Sequence, residues 1–162
     1  MKRYALMLML SAFSIHTFAQ ADLEKAQTYF SKYIDAKAFQ ELSMKSLPTL
    51  ADCKLVFKDS SAIIYYNFIE NMKKKHKEDT RTDTNTFVDM WIESFTTTDI
   101  KLGNKKYAGG MKKIEDKFQK DTTFYQVNML RTKGAALGVA FNYWVYINGH
   151  WVFFFKPWWA FK

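Results

Sequence analysis

Apolar residues recur along this chain at two spacings, helical through the first half and alternating through the last third. Leu23, Ala26, Phe30, Tyr33 and Ile34 form one stripe, with Glu24, Lys25, Lys32 and Asp35 off it, so residues 22–35 are expected to be an amphipathic helix. A shorter helix is expected over Ala38–Lys45, ended by Ser46-Leu47-Pro48 because proline disfavours helix in the residue before it. Leu50–Phe57 reads as another helical piece. Asp59-Ser60 then supplies capping oxygens for a helix from Ser61 to about Lys77, with Ile64, Tyr65, Phe68, Ile69 and Met72 as its buried stripe. Thr86–Thr97 is the first strand candidate, since Val88, Met90 and Ile92 alternate with Asp89, Trp91 and Glu93 and the threonines favour strand. Tyr107, Met111, Ile114 and Phe118 return to helical spacing, with Gly109-Gly110 allowing close backbone approach.

Three strands close the chain: Thr123–Thr132, Ala136–Ile147 and His150–Lys156. Asn148-Gly149 joins the last two, and this dipeptide adopts the positive φ angles of a two-residue hairpin turn. Such a turn pairs Ile147 with His150, Tyr146 with Trp151, Val145 with Val152 and Trp144 with Phe153; continued further, it pairs Tyr143 with Phe154 and Asn142 with Phe155. A two- or four-residue loop at Lys133-Gly134 puts Tyr125, Val127 and Met129 on the Trp144 side, whereas a three-residue loop reverses that. The first and third strands carry their polar residues on the other side, which makes the Trp144 face, with Asn142, Trp144 and Tyr146, the inward one. The middle strand disagrees, because its aliphatic row from Leu137 to Ile147 lies on the second face. Five large inward aromatics bury roughly 1,000 Å², too much for an exposed patch on a monomer, so helices must cover them. The second face then needs its own cover, and a homodimer through this outer sheet face is the expectation.

The first nineteen residues change the compartment. Lys2-Arg3, an apolar run over Tyr4–Phe13 and the small-residue exit Thr17-Phe18-Ala19 have the form of a signal peptide cut near Ala19. Residues 20–162 are then expected to fold as one domain, periplasmic or secreted, with no transmembrane segment. Loss of Lys2 and Arg3 leaves 22 basic against 16 acidic residues, a net charge of about +6. The excess is clustered at Lys73-Lys74-Lys75, Lys105-Lys106 and Lys112-Lys113, and no nucleic-acid motif accompanies it, so nucleic acid is not an expected partner. The lysines after Met72 suit the negative pole of a helix end.

Candidate chemistry is thin. Cys53 has no second cysteine to bond. His76 sits in a lysine run and His150 at a hairpin tip, both poor bases for a nucleophile, so a buried thiol is expected. Asp79, Asp83 and Asn85 match part of a calcium loop but lack its turn glycine and closing glutamate, so no metal is expected, and no cofactor motif is present. Asp89 and Glu93 are the carboxylates placed for acid–base work, beside Phe87, Trp91 and Phe95.

The order helix, helix, short helix, helix, strand, helix, three-strand meander, with the closing run Tyr146–Trp159, resembles the nuclear-transport-factor-2-like superfamily, and its small secreted SnoaL-like members above all. The resemblance implies an α+β cone: N-terminal helices packed on a curved antiparallel sheet of about four strands, with a pocket at the open end. No catalytic position of an enzyme member maps onto this chain. The expected function is therefore a non-catalytic, exported ligand-binding or accessory domain with an apolar pocket between helices and sheet. Its small apolar ligand would lie against Asn142, Trp144, Tyr146 and Tyr125. Two alternatives stand beside it: a small isomerase- or dehydratase-type enzyme using a pocket carboxylate, and an envelope interaction module using the C-terminal aromatics Trp158 and Trp159.

Overall fold

The computed structural model describes residues 22–77, 86–104, 107–119 and 121–162; the expected leader and the polar segment holding Asp79, Asp83 and Asn85 lie outside them. The chain divides into two compact units, Met1–Lys32 and Tyr33–Lys162. In the first, residues 22–30 form α1, with Tyr29 and Phe30 edge to face at 5.0 Å. A 3-10 turn, Ser31–Tyr33, follows.

The second unit is an α+β structure around an open antiparallel sheet with strand order β1-β2-β3-β4. Its strands are β1 (Asp89–Thr96), β2 (Thr123–Leu130), β3 (Val139–Ile147) and β4 (His150–Phe153). The turn works as its residue types require: Asn148 and Gly149 take φ of 51° and 80°, and Ile147 pairs with His150 and Trp144 with Phe153. Tyr143 and Phe154 exchange both backbone hydrogen bonds, at 2.9 and 2.7 Å, so the ladder runs one pair past β4. The expected Asn142–Phe155 pair does not form; the Lys156 N–H donates to the Asn142 carbonyl instead.

The pairing of β2 with β3 departs from simple alternation. Tyr125 faces Trp144, but Val127 faces Phe141, so Asn142 and Tyr143 together stand opposite Gln126. Two residues against one is a β-bulge, which turns both toward the face that carries Gln126. On the Trp144 face the bulge brings Phe141 and Val139 into line with Trp144, where simple alternation expects Asn142 and Ala140. The expected alternation therefore holds from Trp144 to Ile147 and is reversed before the bulge.

Helices cover both faces. Asp35 caps α2 (Ala36–Lys45) by accepting from the Ala38 N–H at 2.9 Å. Phe39 of α2 packs on Phe141 at 4.6 Å and Trp144 at 5.7 Å, covering the Trp144 face as expected. The Ser46 carbonyl at the end of α2 accepts from the Phe153 N–H at 2.7 Å, tying the helix to β4. On the other face stand α3 (Leu50–Val56) and α4 (Asp59–Lys77). There Phe57 meets Tyr65, Phe118 and Phe154, and Phe118 meets Phe124. Phe95, Phe124 and Tyr143 form the adjoining cluster. The chain thus covers its own second face at that end, which removes the physical argument for a partner subunit there.

Three elements differ from expectation. The α4 core stripe is Ala62, Tyr65 and Ile69, all fully buried, while Ile64 is 46% exposed. The helix begins at Asp59 and turns its small alanine, rather than Ile64, toward the packed side. The threonine run passes from strand to helix: Thr96 ends β1, and with Asp99 it forms a reciprocal capping box that opens α5 (Thr97–Leu102). The expected helix over Tyr107–Phe118 is broken into α6 (Gly109–Lys112) and a 3-10 turn, Glu115–Lys117, although Met111, Ile114 and Phe118 are buried. A 3-10 turn, Pro157–Phe161, ends the described chain and lays the Trp158 ring on Gly110.

Two tests follow from this packing. Alanine at Gly110 would put its Cβ inside the Trp158 ring. The usual helical gain of about 1 kcal/mol for Gly→Ala is then outweighed by overpacking, of about 1–3 kcal/mol. Urea melts of Gly110→Ala should show a net loss of stability and a changed Trp158 environment.

Cys53 is wholly buried and its thiol is pushed up to about 12, by burial first and the Asp52 carboxylate second. Burial also pushes the Tyr143 phenol up to about 12. Both protons are held more tightly folded than unfolded, so these groups stabilise the fold below their unfolded values. The advantage fades as pH rises from the ordinary thiol range toward about 12. Cys53→Ala should flatten the alkaline limb of a stability–pH curve, and native Cys53 should resist a thiol reagent at about pH 8 until the protein is unfolded.

Candidate functional site

The two faces of the sheet differ in what they leave unsatisfied. Tyr125 and Trp144 are buried on the α2 side. Tyr146, 55% exposed, touches Trp151 at 5.2 Å, and Trp151 touches Tyr125 at 5.0 Å. Three of the four expected ligand residues therefore share one aromatic surface. Asn142 does not join them, because the bulge carries it to the opposite face.

That opposite face holds a polar cluster within an otherwise aromatic layer. Glu93 on β1 pairs directly with Gln126 on β2, and Trp91 with Asn128. The Gln126 Nε2 donates to the Asn128 Oδ1 at 3.0 Å. Asn142 stands across from Gln126 at the bulge. Asn128 is 4% exposed, while Trp91, Glu93, Gln126 and Asn142 are half-buried. Two atoms of this cluster, the Asn128 Nδ2 and the Asn142 Oδ1, are buried with no hydrogen-bond partner among the described residues. One is a donor and the other an acceptor, which is a complementary pair for a planar amide or carboxyl group.

Sequence pattern pointed to Asn142 but missed Asn128 and Gln126. Alternation places both on the outer face, away from Asn142, and the bulge brings Asn142 to their side. The two carboxylate candidates separate. Asp89 lies at the strand end, where its Oδ1 accepts from the Met90 N–H at 2.8 Å. Glu93 lies in the cluster, near enough to Tyr143 for its charge to help raise that phenol, after burial. The Tyr143 hydroxyl accepts from the Ala108 N–H at 2.8 Å and so is fixed in place.

Other candidates resolve as structure. Asp52 closes the capping box of α3, accepting from the Thr49 N–H and hydroxyl at 3.0 and 2.7 Å. Its second oxygen lies 3.6 Å from the His150 Nε2, an ion pair when that ring is protonated. This contact ties the hairpin tip to α3 and gives Cys53 no base. Among the described residues no three His, Cys, Asp or Glu side chains stand together as a metal site. No described helix is long and apolar enough to cross a membrane.

At the C-terminal turn, Trp158 is half-buried against Gly110 and Tyr143. Trp159 is 41% exposed between the ammonium groups of Lys156 and Lys162, at 4.4 and 5.3 Å from its ring. Compared with known proteins, the chain matches no family model, no curated protein and no solved structure.

Proposed function

We propose that this chain is a non-catalytic binding domain that holds a small, partly apolar ligand on the β1–β3 part of the sheet. The ligand's polar group would lie between Asn128 and Asn142. The observation that carries this reading is the buried, unpartnered pair Asn128 Nδ2 and Asn142 Oδ1. Each such atom costs about 1–3 kcal/mol when left without a partner, and one ligand amide or carboxyl group offers a partner to both. Trp91 beside them provides an apolar wall. The order of helices and meander supports a nuclear-transport-factor-2-like fold, and the leader-like residues 1–19 support export to the periplasm or beyond.

A specific observation favours a second reading, an acid–base enzyme. Glu93 stands in the same cluster, half-buried and paired with Gln126. It would act as the proton-transferring carboxylate, while Asp89 would not.

The binding reading can be tested without knowing the ligand. Valine is closer to asparagine in volume than leucine is, suits a strand position and asks for no hydrogen bond, and half-buried Gln126 can turn to water. Asn128→Val should therefore stabilise the free protein by about 1 kcal/mol, read in urea melts, as expected where a site gives up stability for function. A loss of more than about 1 kcal/mol would show the Asn128 amide to be structurally satisfied, and the reading would fall. Among ligands found by thermal-shift screening, those carrying a primary amide, lactam or carboxyl group should lose at least about tenfold in affinity on Asn142→Ala. Conversion of such a ligand that stops in Glu93→Gln but continues in Asp89→Asn would put the enzyme in place of the binder.

A further inference from the structure

We propose a second, separate site: the groove between α6 and the C-terminal 3-10 turn binds a small organic anion with a flat apolar body, of the aromatic-carboxylate class. The groove has a volume of about 490 Å³ and is lined by Gly110, Lys113, Ile114, Trp158, Phe161 and Lys162. That volume lies within the range of small-molecule sites, about 300–1,000 Å³.

The lining combines apolar surface with two lysine side chains. Ile114, Trp158 and Phe161 supply the apolar surface, and neither Lys113 nor Lys162 has an ion-pair partner among the described residues. Nearby lysines do have them: Lys112 pairs with Glu115 at 2.7 Å and Lys117 with Asp116 at 2.6 Å. The side-chain carboxylates Glu115 and Asp116 thus pair outside the groove, and among the described residues no Asp or Glu side chain lines it. Two exposed lysines draw an anion toward the indole and phenyl rings that line the same groove. The rings offer a flat body a stacking surface that a hydrated inorganic ion cannot use.

The groove is also built before any ligand arrives. The Trp158 ring rests on Gly110, where no side chain intervenes, and lies 6.2 Å from the Tyr143 ring. Tyr143 is in turn held by its hydrogen bond from Ala108. Lys162 is held near the groove by its contact with Trp159. A wall fixed in this way spares the ligand the cost of ordering it.

The test is calorimetric titration of the full chain with 2-naphthoate, with 2-naphthamide as its neutral counterpart and polygalacturonate as a polymeric anion. Saturable binding of naphthoate that depends on Lys113 and Lys162 is expected. Naphthamide should bind at least about tenfold more weakly, and Lys113→Met/Lys162→Met should weaken naphthoate by at least about tenfold at unchanged melting temperature. Three outcomes would overturn the proposal: equal affinity for acid and amide, unchanged affinity in the double variant, or no saturable binding up to about 10 mM. Tighter binding of polygalacturonate through the same two lysines would also overturn it, giving the groove to an anionic polymer. Asn128 and Asn142 lie outside the groove, so the part of naphthoate binding that depends on Lys113 and Lys162 should persist in Asn142→Ala, and this site stands or falls independently of the first.

Discussion

The bulge at Asn142–Tyr143 is the constraint on which the rest of the second unit depends. A strand between two apolar layers must feed both, and strict alternation would commit β3 to one pattern along its whole length. Placing two residues opposite Gln126 resets the alternation midway. Beyond it Trp144 faces α2, and before it Phe141 does, so Phe39 can pack on both. Tyr143 turns the other way and meets Phe95 and Phe124, where α5, the Phe118 segment and the C-terminal turn converge. Without the reset, Asn142 would sit under Phe39 and an aromatic ring would leave the core. Burying that amide among rings, and exposing a phenyl group worth about 1.5–3 kcal/mol of burial, would both disfavour the fold.

The same reset creates the candidate site. Asn142 is brought to the face of Gln126 and Asn128, where three polar side chains from two strands meet beneath aromatic cover. A core of this kind satisfies its polar atoms or leaves them out, because each unpaired one weakens the fold. Here Gln126 satisfies one atom of Asn128, and two amide atoms remain without partners among the described residues. The arrangement is economical for packing and wasteful for hydrogen bonding, which is the balance expected of a surface shaped around something other than itself.

How much of this could be read from the chain depended on whether the determinant was local. Asn148-Gly149 specified its turn and four pairs of the ladder, because two residues alone set the backbone there. The helices α2 and α3 were legible from periodicity and proline punctuation. The bulge was not: neither Asn142 nor Tyr143 is a residue that local chemistry assigns to a bulge, and what selects it is the demand of Phe39, Phe95 and Phe124 from three distant elements. Its one trace in the sequence is the disagreement of the middle strand with its neighbours. Thr96–Asp99 was a different kind of failure. The capping spacing was present, but the β propensity of three successive threonines was given more weight than the hydrogen bonds that Thr96 and Asp99 exchange.

The C-terminal turn shows why a glycine pair deserves to be read with what is rich in aromatics elsewhere. Gly109-Gly110 lacks phosphate-loop spacing, and taken alone it suggests a turn. Gly109 has open space around it, whereas Gly110 is where Trp158 lands. Trp158 docks within α6, and the periodic Tyr107–Phe118 segment, interrupted after Lys112, still buries Met111, Ile114 and Phe118. The docking also sets Trp158 beside Lys113 and leaves Trp159 outside, stacked between lysines. Adjacent tryptophans thus do unlike work. Trp158 closes the aromatic layer that begins at Tyr143 and forms a wall of the cationic groove, and Trp159 holds the lysine that flanks it.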